Sequence, residues 1–191
     1  MLFRAPTNRL GNKQCALVSV DFFTVPTLPI QILSVFLAHD RRRILHFGVT
    51  ARPTAEWTAQ QLRDAVPWGT APRYLLRDWD RIFGDDFTHQ VQDMGTQEVL
   101  SPRRSPWQRA YLERVIGTIR RECLDHVIVF NQASLHRHVK SVVAYYHESR
   151  THLSLGKDSP ESRAVQPPEL GRVVAVPQVG GLHHRYERHS A

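Results

Sequence analysis

The stretch "ALVSVDFF" at 16–23 constrains the fold more than any other part of the chain. It is apolar, rich in β-branched and aromatic residues, and too short for a buried helix, so it predicts a buried strand. A buried strand must be covered, which excludes a loose hairpin or a disordered segment. It also holds one acid, Asp21. A carboxylate inside an apolar strand costs free energy unless it is paired or metal-bound.

Two more strand-like runs follow, "IQILSVFLAHD" (30–40) and "RRRILHFGVTA" (41–51), separated by a charged "HDRRR" turn. Three consecutive strands predict an antiparallel meander. The period then changes. In "PTAEWTAQQLRDAVP" (53–67), Trp57, Leu62 and Val66 recur at helical spacing, Thr54 can cap the start, and Pro67 ends it. "RYLLRD" (73–78) predicts a fourth strand with Asp78 at its end, and "DDFTHQVQDMG" (85–95) a short helix closed by Gly95. "TQEVL" (96–100) predicts a fifth strand.

After the loop "SPRRSPW", Ser105 and Pro106 suit the start of a helix running to about Arg121. "NQASLHRHVKSVVAYYHESR" (131–150) predicts another amphipathic helix, and "VVAVPQVGGLHHRYERH" (173–189) an extended tail or hairpin, with "HHRYERH" read as a solvated basic segment. The order is three strands, helix, strand, helix, strand, then helices. It predicts an α/β fold with a five-stranded mixed sheet flanked by helices.

Charge narrows the function. The formal net charge is +7 and the pI near 10, which favours a polyanionic partner, nucleic acid first. Cys15 and Cys123 supply no disulfide framework and no zinc-type CxxC pair, which fits a reducing cytoplasm. No apolar run reaches membrane-spanning length. His136 and His138 stand two apart on a helix, on different faces, and do not chelate together. No phosphate-cradling glycine loop or nucleophilic serine motif is present, which argues against a nucleotide cofactor and against Ser-His-Asp chemistry.

Three acids stand apart from the rest: Asp21 in a strand, Asp78 at a strand end, and Glu113 on a helix crowded with arginines. Each has an ordinary reading. Asp21 could cap a turn, Asp78 could pair with Arg77 or Arg81, and Glu113 with Arg109 at i,i+4. Together they could hold divalent metal, because Mg²⁺ prefers oxygen ligands and needs few protein carboxylates when phosphate supplies the rest.

"VSVDFFTVPT", "YLLRDWDRIFGDDF", "SPWQRAYLERVIGTIRRECLDHVIVF" and "YYHESRTHLSLGKDSP" resemble the retroviral-type integrase core of insertion-sequence transposases, over roughly residues 16–165. The resemblance implies a ribonuclease-H-like fold and an Asp–Asp–Glu triad carried by Asp21, Asp78 and Glu113, with 34 residues between the last two. Asp80 is the weaker candidate for the second position. It further implies two Mg²⁺ (or Mn²⁺) ions, DNA as partner, a homo-oligomer on DNA, and metal-dependent cleavage and transfer of DNA strands in a bacterial, nucleoid-associated setting. Arg103, Arg104, Ser105, Gln108, Arg109 and Arg120 would then meet DNA phosphates.

The chain departs from the family pattern at Trp79, Arg109 and Leu112. Met1 stands only 20 residues before Asp21, so the usual N-terminal DNA-binding region is expected to be missing. The division expected is an irregular lead at 1–15, the core at 16–165 and a basic tail at 166–191. Two other readings remain: a truncated remnant that only binds DNA non-specifically, and a hydrolase of RNA–DNA hybrids.

Overall fold

The computed structural model describes residues 16–28, 30–67, 69–101 and 110–190. Five strands form one sheet: β1 (Leu17–Pro26), β2 (Ile32–His39), β3 (Ile44–Thr50), β4 (Tyr74–Arg77) and β5 (Gln97–Leu100), in the order β3-β2-β1-β4-β5. β1 to β3 are the expected antiparallel meander. β4 and β5 add in parallel beside β1. Those parallel steps need crossovers, and α1 (Ala55–Ala65) and α2 (Asp85–Asp93) provide them. α3 (Ala110–Glu122) and α4 (Gln132–Glu148) follow, and β6 (Arg172–Gln178) and β7 (His183–His189) form a separate antiparallel hairpin.

β1 is the central strand, and its two faces feed two cores. Val18, Val20 and Phe22 pack with Phe36, Leu62, Phe83 and Phe87 on the α1/α2 side. Phe23 and Val25 pack with Leu112, Val115, Ile119, Leu135 and Val139 on the α3/α4 side. Successive strand residues point to opposite faces, so this alternation places Asp21 on the α3/α4 side.

The helix boundaries follow local chemistry. The Thr54 hydroxyl accepts from the Trp57 N–H at 3.1 Å and starts α1. The α2 turn closes at Gly95, whose φ of 65° is the left-handed conformation that glycine adopts without strain. Asn131 and Ser134 form a reciprocal capping box at α4. The segment 173–189, expected as an extended tail or hairpin, is a hairpin, and it docks on the helical layer while alternate residues of β7 stay exposed. Val179, at its turn, enters the α3/α4 core. His183 stacks on Tyr145 at 4.6 Å and donates to the Glu122 carbonyl at 2.8 Å, and Arg185 pairs with Glu148. Alternation in a short polar strand does not reveal that its inward face has a helix to meet.

Gly48 marks a close approach. A Cβ there would stand 2.1 Å from Gln61 Oε1 and 3.0 Å from the Trp57 ring. That oxygen is buried and bonded to His46 Nε2 at 3.0 Å, so it cannot swing away freely. Gly48→Ala is expected to lower stability by ~1–3 kcal/mol, the usual cost of overpacking, read as a lower urea midpoint at unchanged m.

A buried imidazole makes the fold acid-sensitive. His39 is 3% exposed, and its Nε2 has no hydrogen-bond partner among the described residues. Burial pushes its pKa from 6.5 down to about 4, with Asp40 opposing and His147 and His152 adding to the depression. His147 and His152 also lie below the ordinary histidine value, burial again being the main cause. The unfolded chain therefore takes up protons that the folded chain refuses. Stability is fully present above the unfolded histidine value and falls as pH drops towards about 4, below which His39 protonates in the fold too. For His39 alone the loss is about 3 kcal/mol. Urea midpoints measured across that range should show it, and His39→Gln should flatten the slope.

Candidate active site

Two of the acids lie on neighbouring strands. β1 and β4 run parallel with Leu17 opposite Tyr74, Val18 opposite Leu75 and Ser19 opposite Leu76. Asp21 is two residues beyond the last of these pairs on β1, and Asp78 follows the end of β4. Asp21 is 8% exposed, and its Oδ1 accepts from the Phe22 N–H at 2.8 Å. Asp78 is half-buried just past the end of β4. Its Oδ1 accepts from the Asp80 N–H at 3.0 Å. Asp80 is exposed and accepts from the Ile82 N–H at 3.1 Å, so its carboxylate serves the turn that follows.

Asp78 is held in place from behind. Arg77 is buried, pairs with Glu98 of β5, and donates to the Asp78 carbonyl at 2.8 Å. Its guanidinium lies 5.2 Å from the Phe83 ring centroid on the opposite face of the sheet. The Arg77 carbonyl receives the Ser101 N–H at 2.8 Å, and the Trp79 indole donates to the Ser101 carbonyl at 3.1 Å. Trp79, a departure from the family pattern, thus ties the Asp78 loop to the end of β5. Arg77 does not take the carboxylate of Asp78 as the simple pairing would have it; its partner carboxylate is Glu98.

α3 supplies the third acid. Leu112, Val115 and Ile119 are buried against β1, and Glu113 is exposed beside that stripe. Arg120 donates to the Thr24 carbonyl at 3.0 Å and lies 5.3 Å from the Phe23 ring centroid. It therefore anchors α3 on β1.

The three side chains are not gathered into one cluster. Among the described residues, no group of three or more His, Cys, Asp or Glu side chains stands close enough to hold a metal ion. The donor chemistry of Asp21, Asp78 and Glu113, all carboxylate, suits a hard dication. Arg103, Arg104, Ser105, Gln108 and Arg109 lie outside the described residues.

The far end of α3 is clamped. Arg150, after α4, makes a bidentate pair with Glu122, with contacts of 2.7 and 2.9 Å. Burial would raise the Glu122 carboxyl, but the Arg150 hydrogen bonds and charge outweigh it and hold the carboxyl below its usual value. Sequence reading missed this pair because its members are 28 residues apart. It also missed Arg41, in the β2–β3 turn, whose guanidinium lies 5.8 Å from the ring centroid of Tyr111 on α3.

Residues 94–160 match the family model described as integrase core domain. No curated protein matches the chain. Solved structures do. The integrase catalytic core domain of HTLV-2, in complex with magnesium, superposes with a TM-score of 0.57 at 11% identity, covering 75% of this chain and 92% of that one. The fold is that of an integrase-like catalytic core. A simian T-cell lymphotropic virus intasome, in complex with the PP2A regulatory subunit B56 gamma, matches over 93% of this chain and 68% of its own, at 13% identity and a TM-score of 0.59. The catalytic domain of the Mos1 mariner transposase matches over 69% and 71%, at 12% identity and a TM-score of 0.55. The ribonuclease-H-like sheet expected from the sequence is the sheet observed.

The Arg150–Glu122 clamp in this integrase-like core is partly exposed, so its contribution is discounted from that of a buried pair. Arg150→Ala should lower stability by about 1–2 kcal/mol. Urea unfolding at neutral pH reads this, and the deficit should shrink as acid protonates Glu122.

Proposed function

We propose that the chain is the catalytic core of a DNA strand-transfer enzyme of the transposase and integrase kind, with Asp21, Asp78 and Glu113 as its acids. What supports this reading is the parallel pairing of β1 with β4, which puts Asp21 on the strand next to the one that ends just before Asp78. Carboxylates on neighbouring strands suit a hard dication.

In this reading Asp21 and Asp78 hold Mg²⁺ or Mn²⁺, two ions when DNA is seated, and Glu113 completes the set. Metal held there would polarise the phosphoryl oxygen and lower the pKa of the attacking water or DNA 3′-hydroxyl. Glu113 is exposed on the first described turn of α3, directly after residues 102–109. Ser105, Gln108 and Arg109 then position phosphates by backbone and side-chain donors, as Arg103 and Arg104 do by charge. Arg120 keeps α3 in line through Thr24 and faces phosphate with its remaining donors. The protein forms no covalent bond to DNA; its residues orient the nucleophile and balance charge.

The +7 charge and the integrase core match support DNA as the partner, and a homo-oligomer would hold two DNA ends together. No helix among the described residues is long and apolar enough to cross a membrane. The reading of a remnant that only binds DNA draws on one observation, the ungathered third acid. Nicking and joining of labelled DNA in Mg²⁺ or Mn²⁺ decides between them. Wild type should nick, and Asp21→Asn, Asp78→Asn and Glu113→Gln should each lower the rate at least ~100-fold, since electrostatic stabilisers are commonly worth that much. Glu113→Gln at wild-type rate would remove the third acid from the site. Salt-sensitive binding with no cleavage by wild type would favour the remnant.

A further inference from the structure

The β2–β3 turn has a geometry that its role as a connection does not require. Asp40 Oδ1 accepts from the N–H groups of Arg42 and Arg43 at 2.8 and 2.7 Å, and the Asp40 N–H donates to the Arg43 carbonyl at 3.0 Å. One carboxylate oxygen is thus spent on the turn's own backbone, and the turn is held in one shape. Arg43 is directed to Glu161 and pairs with it. Arg41 and Arg42 are both exposed. Arg41 lies 5.8 Å from the Tyr111 ring centroid, and among the described residues neither guanidinium forms an ion pair with a carboxylate. By contrast, Arg43, Arg77, Arg150 and Arg185 each have an acidic partner.

The contact with Tyr111 fixes Arg41 without using its donors. An aromatic ring takes the face of a guanidinium, while the five N–H groups lie in its plane. Such a group is pre-organised for bidentate contact with phosphate. Tyr111 is two residues before Glu113, and exposed Arg114 is one after it, so the turn leans on the rim of the candidate site.

We propose that Arg41 and Arg42 form a phosphate clamp that grips the DNA backbone beside the bond cut at Asp21 and Asp78. The proposal rests on the strand-transfer reading above and adds a contact to that same site. The turn follows β2, whose Leu37 pairs with Asp21, and it meets α3 at Tyr111, two residues before Glu113. The contact is to backbone, so it positions DNA without reading its sequence.

The test uses the full chain and a labelled duplex, with binding followed by fluorescence anisotropy as salt is raised. Each phosphate contact contributes about 0.9 to the slope of log K against log salt. Arg41→Ala with Arg42→Ala should reduce that slope by about two and weaken binding roughly tenfold at moderate salt. Arg42→Ala alone, which removes no side-chain hydrogen bond or ion pair among the described residues, should reduce it by about one. This single variant carries the test if the double variant is misfolded. Ethylation interference should show phosphate contacts on wild type that the variants lose. An unchanged slope in a variant of native melting temperature overturns the clamp. Failure of the catalytic reading shows separately, as wild type that binds with its full slope but does not nick DNA in Mn²⁺.

Discussion

Burial of β1 on both faces is the constraint on which the rest of the structure depends. One face of the strand carries Val18, Val20 and Phe22, and the other carries Phe23 and Val25. Each set needs a helical layer, and the chain supplies one on each side. The strand is therefore central, and its neighbours are fixed: β2 by a short antiparallel return, β4 by a crossover through α1. Asp21 is carried into the interior by this strand. It occupies a position that an apolar residue would fill if packing were the sole concern.

The elements around the site act mainly as fasteners. Arg77 spans from β4 to Glu98 and to two aromatic rings, which steadies the strand end that presents Asp78. Trp79 ties the following loop to Ser101. Arg120 and the Arg150–Glu122 pair hold α3 at two points along its length. The charged residues of this basic chain thus divide by task. Some brace the scaffold through carboxylates or carbonyls, while Arg41 and Arg42 stay exposed without a carboxylate. That division separates structural arginines from those available to a polyanion.

The hairpin β6–β7 extends the same scaffold. His183 and Val179 bind it to α3 and α4, so the C-terminal segment stiffens the helical layer that carries Glu113. The acid sensitivity of the fold has its origin on this side too. His39, His147 and His152 are brought near one another between β2 and α4, where the interior admits imidazole in its neutral form.

The element order, the strand meander and the helix cap at Thr54 are legible in the sequence alone, as is the separation of Asp21, Asp78 and Glu113 from the other acids. These are local or periodic properties, set by side-chain alternation, capping chemistry and motif spacing. The tertiary structure decided which face of β1 carries Asp21, that β4 lies parallel beside β1 and ends just before Asp78, and that Glu113 stands exposed on α3. It also decided the partners of Arg77, Arg120 and Arg150, the contact of Arg41 with Tyr111, and the docking of the final hairpin. Those depend on strand order and on contacts between residues distant in the chain. No local pattern encodes them, because the energy that selects them comes from burying both faces of one strand at once.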